Sequence, residues 1–342
     1  MITGFAGAGP RIVVAGAGAI GSTCALVLAR AGARVTLADP AAFAQNASGV
    51  AAGMLAPAFE ALLDTAADRY GALRAARDLW PALAAALNIA VYRRGVLGVA
   101  AGDRLNQWEA ELRHMGAPVT RHSAAGVAAR WPWLRAPDGA VWSDEDWRIL
   151  PRAALAALHR AGIEAGVEII KSGVQDFAAN GVRLADGQKI ATDHLVIATG
   201  ADLTLAGLAP ELQAVQPIKG HILRALDHAW EGPVVRFQTG YICPDPAGAV
   251  IGATMEIGQD NTEVDAAKVR DLQNAAATLV PGLSSAQVTA AVGVRGSTAN
   301  GLPLVGPAGA PGVWLAVGAR RNGWLLAPQI AQDILQMLVS FR

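Results

Sequence analysis

The sequence predicts an α/β protein in which a parallel-sheet domain is interleaved with a smaller α+β domain built on an antiparallel sheet. Three observations predict it. Residues 11–39 run strand, glycine turn, helix, strand and acid, the order of a βαβ unit. A second apolar strand ends in a glycine turn at His194-Leu-Val-Ile-Ala-Thr-Gly200, as a doubly wound sheet requires. Residues 213–260 alternate in strand-like runs at 218–226, 234–243 and 249–254, which a purely parallel domain would not contain. The first domain is expected at 1–80, 140–208 and 290–342, and the second at 81–139 and 209–289.

The first unit is the most specific. An apolar strand at 12–15 runs into Gly16-Ala17-Gly18-Ala19-Ile20-Gly21, an Ala/Leu helix, a strand at 34–38 and Asp39. In such a Rossmann-like turn Gly16 permits the tight bend, Gly18 lets a pyrophosphate approach the backbone, and Gly21 lets the helix pack close to the strand. N–H groups at the helix start then face the phosphates. Asp39, 18 residues after Gly21, is placed to accept a ribose hydroxyl. An acid there disfavours a 2′-phosphate and with it NADP, which leaves NAD and FAD. Residues 12–29 carry no charge and meet the length of a membrane span, yet the fingerprint glycines and β-rich start argue for the nucleotide unit. No membrane helix is expected.

After Asp39, Asn46-Ala-Ser-Gly-Val-Ala-Ala-Gly-Met-Leu-Ala-Pro57 is a run of small residues whose backbone can lie close to something flat. Residues 64–87 have helical spacing, and 91–100 alternate like a strand. Residues 105–135 hold a helix and His122. They also open an aromatic group of Trp131, Trp133, Trp142 and Trp147, which lacks the basic interleaving of a base-stacking platform and is expected to anchor the smaller domain. Asp144-Glu145-Asp146 is expected to be a solvated loop, with no metal site. Pro151 opens a helix to 161. A strand at 167–170 and a hairpin at 182–190 with Asp186-Gly187 at its tip follow. A helix at 264–279, Gly-rich loops at 293–306, a strand at 313–318 and a last helix at 324–338 complete the chain.

The 342 residues are 53% hydrophobic, enough for a substantial core. With 28 basic and 28 acidic side chains the formal charge is zero, so no overall field attracts nucleic acid or an anionic membrane. A small molecule is the expected partner. Cys24 and Cys243 are the two cysteines. They form neither a disulfide framework nor a metal motif, which fits a reducing, cytoplasmic setting, with Cys24 a buried helix residue. Residues 1–10 lack the basic start and apolar core of a secretory signal. The six histidines form no catalytic or metal constellation, and His221 is expected to be structural.

In this order the pieces resemble the D-amino-acid-oxidase-like family of FAD-dependent amine oxidoreductases over essentially the whole chain, and within it the glycine oxidases of thiamine biosynthesis. The resemblance is carried by the fingerprint with Asp39, Ala47-Ser-Gly-Val-Ala-Ala-Gly-Met-Leu-Ala-Pro57, 195–200 and Pro217-Ile-Lys-Gly-His221. Further along it rests on Gly293-Val-Arg-Gly-Ser-Thr298, Gly301-Leu-Pro-Leu-Val-Gly306 and Arg321-Asn-Gly-Trp-Leu-Leu-Ala-Pro328. It implies FAD, with the adenosine half on the first βαβ unit and the isoalloxazine ring between the domains. Gly16, Gly18, Ala19, Ile20, Gly21, Asp39 and Ser48 would serve the first half, with Val174, Thr199 and Gly200. Ala51, Ala52, Gly53, Met54, Arg295, Asn322, Gly323, Trp324 and Leu325 would surround the ring. Both flanking loops are short on bulk, and the second leads into a helix whose positive end suits a reduced, anionic flavin. Flavin is therefore preferred to NAD.

The resemblance also implies oxidation of a small amino acid (glycine, sarcosine or a small D-amino acid). Hydride passes from Cα to flavin N5, leaving an imine, and an oxidase then yields hydrogen peroxide from O2. The imine has a role open to it in thiazole synthesis. Orientation and electrostatics suffice, so no catalytic side chain is assigned. A substrate carboxylate needs a planar guanidinium. Arg295 occupies the family's carboxylate-binding position, Tyr241 supports it, and Arg321 closes the site from the flavin side. Two departures bear on substrate choice: Ala319-Arg320 precedes Arg321 where glycine oxidases commonly show His and an aromatic, and Tyr241-Ile-Cys-Pro-Asp lacks an arginine after the proline. Trp324 either narrows the cavity toward small substrates or packs as the first apolar residue of the last helix. Relatives suggest a homo-oligomer. The competing readings are a D-amino-acid or N-methyl-amino-acid dehydrogenase with a non-oxygen acceptor, and a dinucleotide-binding module without turnover.

Overall fold

β1 (Arg11–Ala15), α1 (Ala19–Arg30) and β2 (Arg34–Ala38) form the expected βαβ unit in the computed structural model of the chain, which describes residues 4–5, 9–63, 68–178, 181–226, 228 and 232–341. β1 pairs in parallel with β2 on one side and with His194–Ile197 on the other. The sheet runs Leu304–Pro307, Val313–Val317, His194–Ile197, β1, β2, Glu168–Ile170, and its one antiparallel pair is at the Leu304–Pro307 edge. Alternate β1 residues feed two cores. Ile12 and Val14 pack with α1 and the C-terminal helix Gly323–Ser340, while Val13 and Ala15 pack with Val182 and Leu184 of the hairpin sheet. Both faces being covered, the strand must read as an unbroken apolar run. Leu26 and Leu28 of α1 are fully buried, and each contributes about 1.5–3 kcal/mol of hydrophobic stabilisation.

The second sheet has nine strands. Gln216–Leu226 is its axis, paired antiparallel with Val288–Ser297 over most of its length and with Gly248–Gly252. Val234–Phe237, Gly240–Asp245 and Gly248–Gly252 form a meander, and Ala266–Leu279 packs Leu272 and Ala276 against Leu223, Ile242 and Ile251. One pair, Val234–Phe237 with Val96–Gly98, is parallel. A small third sheet joins Met54–Leu55, Trp147–Ile149 and Val91–Tyr92.

Several local expectations need revision. The helical pattern at 64–87 gives two helices, Arg69–Asp78 and Trp80–Leu87, because Pro81 forces a new start; its first four residues lie outside those described. The strand expected at 91–100 is two, in different sheets, parted at Gly95. Gly293 to Ser297 are strand rather than loop. The expected boundaries at 140 and 290 fall on strands of the nine-stranded sheet, Ala140–Ser143 and Val288–Ser297, whose partners are distant in sequence.

The acidic run is no solvated loop at its end. Asp146 is fully buried and accepts N–H bonds from Ala58 at 2.8 Å and Phe59 at 3.0 Å, capping the short helix Pro57–Ala61. Burial pushes its carboxyl up to about 7 against those two bonds. Trp131 stacks on Trp142 at 5.8 Å within the smaller core, and Trp147 is held between Arg77 and Arg93. Among the described residues, no helix is long and apolar enough to cross a membrane and no cluster of acidic, His or Cys side chains could hold a metal ion.

Candidate active site

The fingerprint sits at the carboxyl end of the parallel sheet, where such sheets bind ligands. Gly16 has φ of +105°, and a Cβ there would press on the Ala198 carbonyl. Only glycine accepts that conformation cheaply. A Cβ at Gly21 would collide with the Gly16 carbonyl oxygen. Asp39 accepts the Ala17 N–H at 2.6 Å and the Ala41 N–H at 2.7 Å. Ser48 Oγ accepts the Ala19 N–H at 2.9 Å, and a Cβ at Gly18 would come within 3.1 Å of that hydroxyl. The expectation that the helix-start N–H groups face phosphates therefore needs correction at Ala19, whose donor has a side-chain acceptor. A buried helix start needs its orphan donors satisfied, and Ser48 does so from the neighbouring loop.

The other expected nucleotide contacts gather at the same end. Thr199 hydrogen-bonds the Asp202 carbonyl, and Gly200, at φ +70°, leaves nothing within 4 Å of an added Cβ. Val174 turns its side chain into the core with Ala15 and Ala38, so it can offer a nucleotide only its main chain.

Beyond the fingerprint lies a cavity of about 350 Å³ lined by Ala47 and Val50 to Met54, Glu60, Arg236, Tyr241, Gly293, Arg295, Arg320, Arg321 and Trp324. Ser48 joins the starts of two helices here, since its carbonyl also accepts the Trp324 Nε1–H at 3.0 Å. Trp80 fixes the same tryptophan. Pro328, inside the C-terminal helix, has no N–H to give the Trp324 carbonyl, and the Trp80 Nε1–H supplies that bond at 3.1 Å. Trp324 is thus both core, at 4% exposure, and cavity wall. Asn322 caps this helix without a side-chain bond, and Gly323 leaves open space. The uncapped helix start, the small-residue loop and the glycine turn form a cradle that fits a flat, anionic cofactor.

Arg295 is brought to the cavity by strand pairing. It lies opposite Ile218, and its guanidinium rests on Gly220, where any Cβ would collide with it. Its Nη1 contacts the Thr254 carbonyl at 3.4 Å and Met255 Sδ at 3.1 Å; no carboxylate of the described residues pairs with it. Burial lowers its pKa. Tyr241 faces Gly252 across the meander, and the missing Cβ lets its ring lie flat there. Burial pushes the phenol up, so it stays a hydroxyl.

Arg321 reaches the cavity but is engaged: its Nε donates to Glu60 Oε2 at 2.7 Å, while Arg236 Nη2 donates to Oε1 at 2.7 Å. Glu60 is 2% exposed. Burial alone would raise its carboxyl, but the two guanidiniums hold it at about 2. Glu60 and Arg236 were missed in the sequence. Their signal is isolation, a single acid in the apolar stretch 51–61 and a single cation in Val234-Val-Arg-Phe237, since buried charges are kept only when paired. His221 is structural as expected: Nε2 accepts the Asp265 N–H at 2.9 Å, so Nδ1 carries the proton toward Glu256 at 2.9 Å.

Comparison with known proteins agrees with this geometry. The family profile DAO, FAD dependent oxidoreductase, matches residues 11–337. A thiamine biosynthesis oxidoreductase, ThiO, of Rhizobium etli is 33% identical, with 96% of this chain and 97% of that protein aligned. Glycine oxidase of Pseudomonas aeruginosa is 30% identical over 93% of this chain and 92% of the relative. The crystal structure of glycine oxidase from Geobacillus kaustophilus superposes with a TM-score of 0.87 at 26% identity, covering 96% of this chain and 95% of that one. By sequence and by fold, the chain belongs to the DAO family of FAD-dependent oxidoreductases, with FAD as its cofactor.

Proposed function

We propose that the chain oxidises a small amino acid, such as glycine, sarcosine or a small D-amino acid, at its Cα–N bond. The carrying observation is Arg295: a desolvated guanidinium on the cavity wall, beside Tyr241, whose hydrogen-bond partners among the described residues are a carbonyl and a thioether. A carboxylate ligand would complete it with two parallel hydrogen bonds. Bound FAD supplies a two-electron acceptor for hydride. The Arg295 charge on the cavity wall, which no carboxylate of the described residues pairs, favours the neutral amine over the ammonium, and only the neutral form has a lone pair to form the imine. The kinship to glycine oxidases and ThiO supports a glycine-like substrate and a place in thiazole formation.

Anaerobic mixing with glycine, sarcosine, D-alanine, D-proline and larger D-amino acids should bleach the yellow flavin with the small substrates first. Failure of every amine to bleach it would leave a binding module. Peroxide formation in air then separates an oxidase from a dehydrogenase.

FAD should be non-covalent. Both cysteines are fully buried, and burial pushes Cys24 up to about 12 and Cys243 up to about 11, so neither is a thiolate available for attachment. Acid precipitation should release the colour into the supernatant. Asp39→Ala should weaken retention by about 1.5–3 kcal/mol without changing which amines reduce the flavin.

Trp324→Ala should raise kcat/KM for D-phenylalanine relative to glycine, because the indole narrows the cavity. Its bonds to Ser48 and Trp80 also brace the fold, so a loss of about 3–5 kcal/mol in stability is expected alongside. A lower melting temperature with an unchanged substrate ratio would make Trp324 packing alone.

A further inference from the structure

The part of the cavity wall that meets Arg295 is an irregularity in the nine-stranded sheet. Gln216–Leu226 pairs Ile222 with Gly252 and Lys219 with Glu256, so Gly220 and His221 on one strand face Ala253, Thr254 and Met255 on the other. The extra residue makes a β-bulge, which bends a strand and re-aims its side chains beside active sites. Both hydrogen-bond partners of the Arg295 guanidinium among the described residues come from this bulge: the Thr254 carbonyl at 3.4 Å and Met255 Sδ at 3.1 Å. The guanidinium itself rests on Gly220, on the strand opposite.

One hydroxyl ties the bulge to that strand. The His221 main-chain N–H donates to Thr254 Oγ1 at 2.8 Å, and the hydroxyl donates in turn to Glu256 Oε1 at 2.7 Å. Glu256 also accepts the His221 Nδ1–H at 2.9 Å, and His221 is fully buried, so the acceptor at the end of this relay is held in place. The position requires a group that accepts and donates at once. An apolar side chain of the same shape would deprive both the N–H and the carboxylate of their partner. We infer that Thr254, which does not itself line the cavity, is a positioning residue for amine oxidation: through the bulge, its hydroxyl aims the Arg295 fork at the substrate carboxylate. This rests on the reading that Arg295 binds that carboxylate.

The test is anaerobic flavin reduction in the FAD-loaded protein, by whichever of glycine, sarcosine and D-alanine bleaches wild type fastest. An arginine–carboxylate contact is made alike in the ground and transition states, so Thr254→Val should raise the half-saturating substrate concentration about 10-fold while the limiting rate stays within about 2-fold. Thr254→Ser keeps the hydroxyl and should restore half-saturation. In an Arg295→Ala background, Thr254→Val should cost nothing further in the second-order rate, because the group it positions is gone. Glu256→Gln weakens the acceptor of the hydroxyl and should shift half-saturation the same way by about 3-fold, which serves where the valine variant does not fold. Unaltered half-saturation in Thr254→Val or Glu256→Gln, no recovery in Thr254→Ser, or an equal penalty with and without Arg295 overturns the positioning role and leaves amine oxidation standing. A wild-type flavin that no amine bleaches, or unchanged kinetics in Arg295→Ala, overturns the reading of the site together with it.

Discussion

Arg295→Ala is expected to cost about 2–5 kcal/mol in kcat/KM for the preferred amino acid, roughly 30- to 5,000-fold, with FAD content close to normal. The strand register places this guanidinium over Gly220 and away from the fingerprint, so its loss should be felt by substrate and not by the adenosine half of the cofactor. Arg295→Lys keeps the charge but loses the fork and should recover only part of the rate. Arg321→Ala should be milder toward substrate than Arg295→Ala, because its Nε is already committed to Glu60. Steady-state kinetics with flavin content measured on the same samples decide the matter. Unchanged kinetics in Arg295→Ala, or loss of flavin instead of substrate affinity, would remove Arg295 from the substrate site.

What the sequence reveals of this molecule follows the range of the interactions. β1, its glycine turn, α1, β2 and Asp39 lie within thirty residues, and their packing demands are written into adjacent positions: small where helix meets strand, apolar on both faces of β1. The loop at 46–57 and the turn at Arg321 are visible for the same local reason. Asp146 is misread because its partners, the Ala58 and Phe59 N–H groups, lie more than eighty residues upstream. In isolation, three successive acids look like a solvated loop. Ser48 as the cap of α1 is hidden likewise, since a hydroxyl in a small-residue run gives no sign of which helix it serves. Gly220 and Gly252 lie within strands the sequence shows, but it does not show that each is the space another strand's side chain needs, Arg295 for one and Tyr241 for the other. The Glu60 bridge spans 176 residues to Arg236 and 261 to Arg321. Only the odd presence of one acid among apolar neighbours announces it.

That bridge carries the second large effect: Glu60→Gln should destabilise the protein by about 3–5 kcal/mol at pH 7, because two desolvated guanidiniums lose the one charge they share. Glutamine preserves the shape, so the loss reports charge and not a cavity. The dependence on pH has a definite sign. Although burial opposes ionisation, Arg236 and Arg321 hold the Glu60 carboxyl at about 2, below its ordinary value of about 4.5. Its contribution is therefore complete above the unfolded pKa and is lost as pH falls from about 4.5 through about 2, amounting to something on the order of 3 kcal/mol. Wild type and Glu60→Gln should accordingly converge in stability across that acid window while remaining well separated between pH 5 and 8. Urea unfolding followed at pH 7, 4 and 3 measures the difference directly. Equal stability at pH 7, or a gap that does not narrow on acidification, would mean that solvent rather than Glu60 compensates the two arginines. Because Arg321 and Arg236 line the cavity beside Arg295, the same variant should also lose amine oxidation at temperatures where it is still folded, as the carboxylate that orients both guanidiniums is gone.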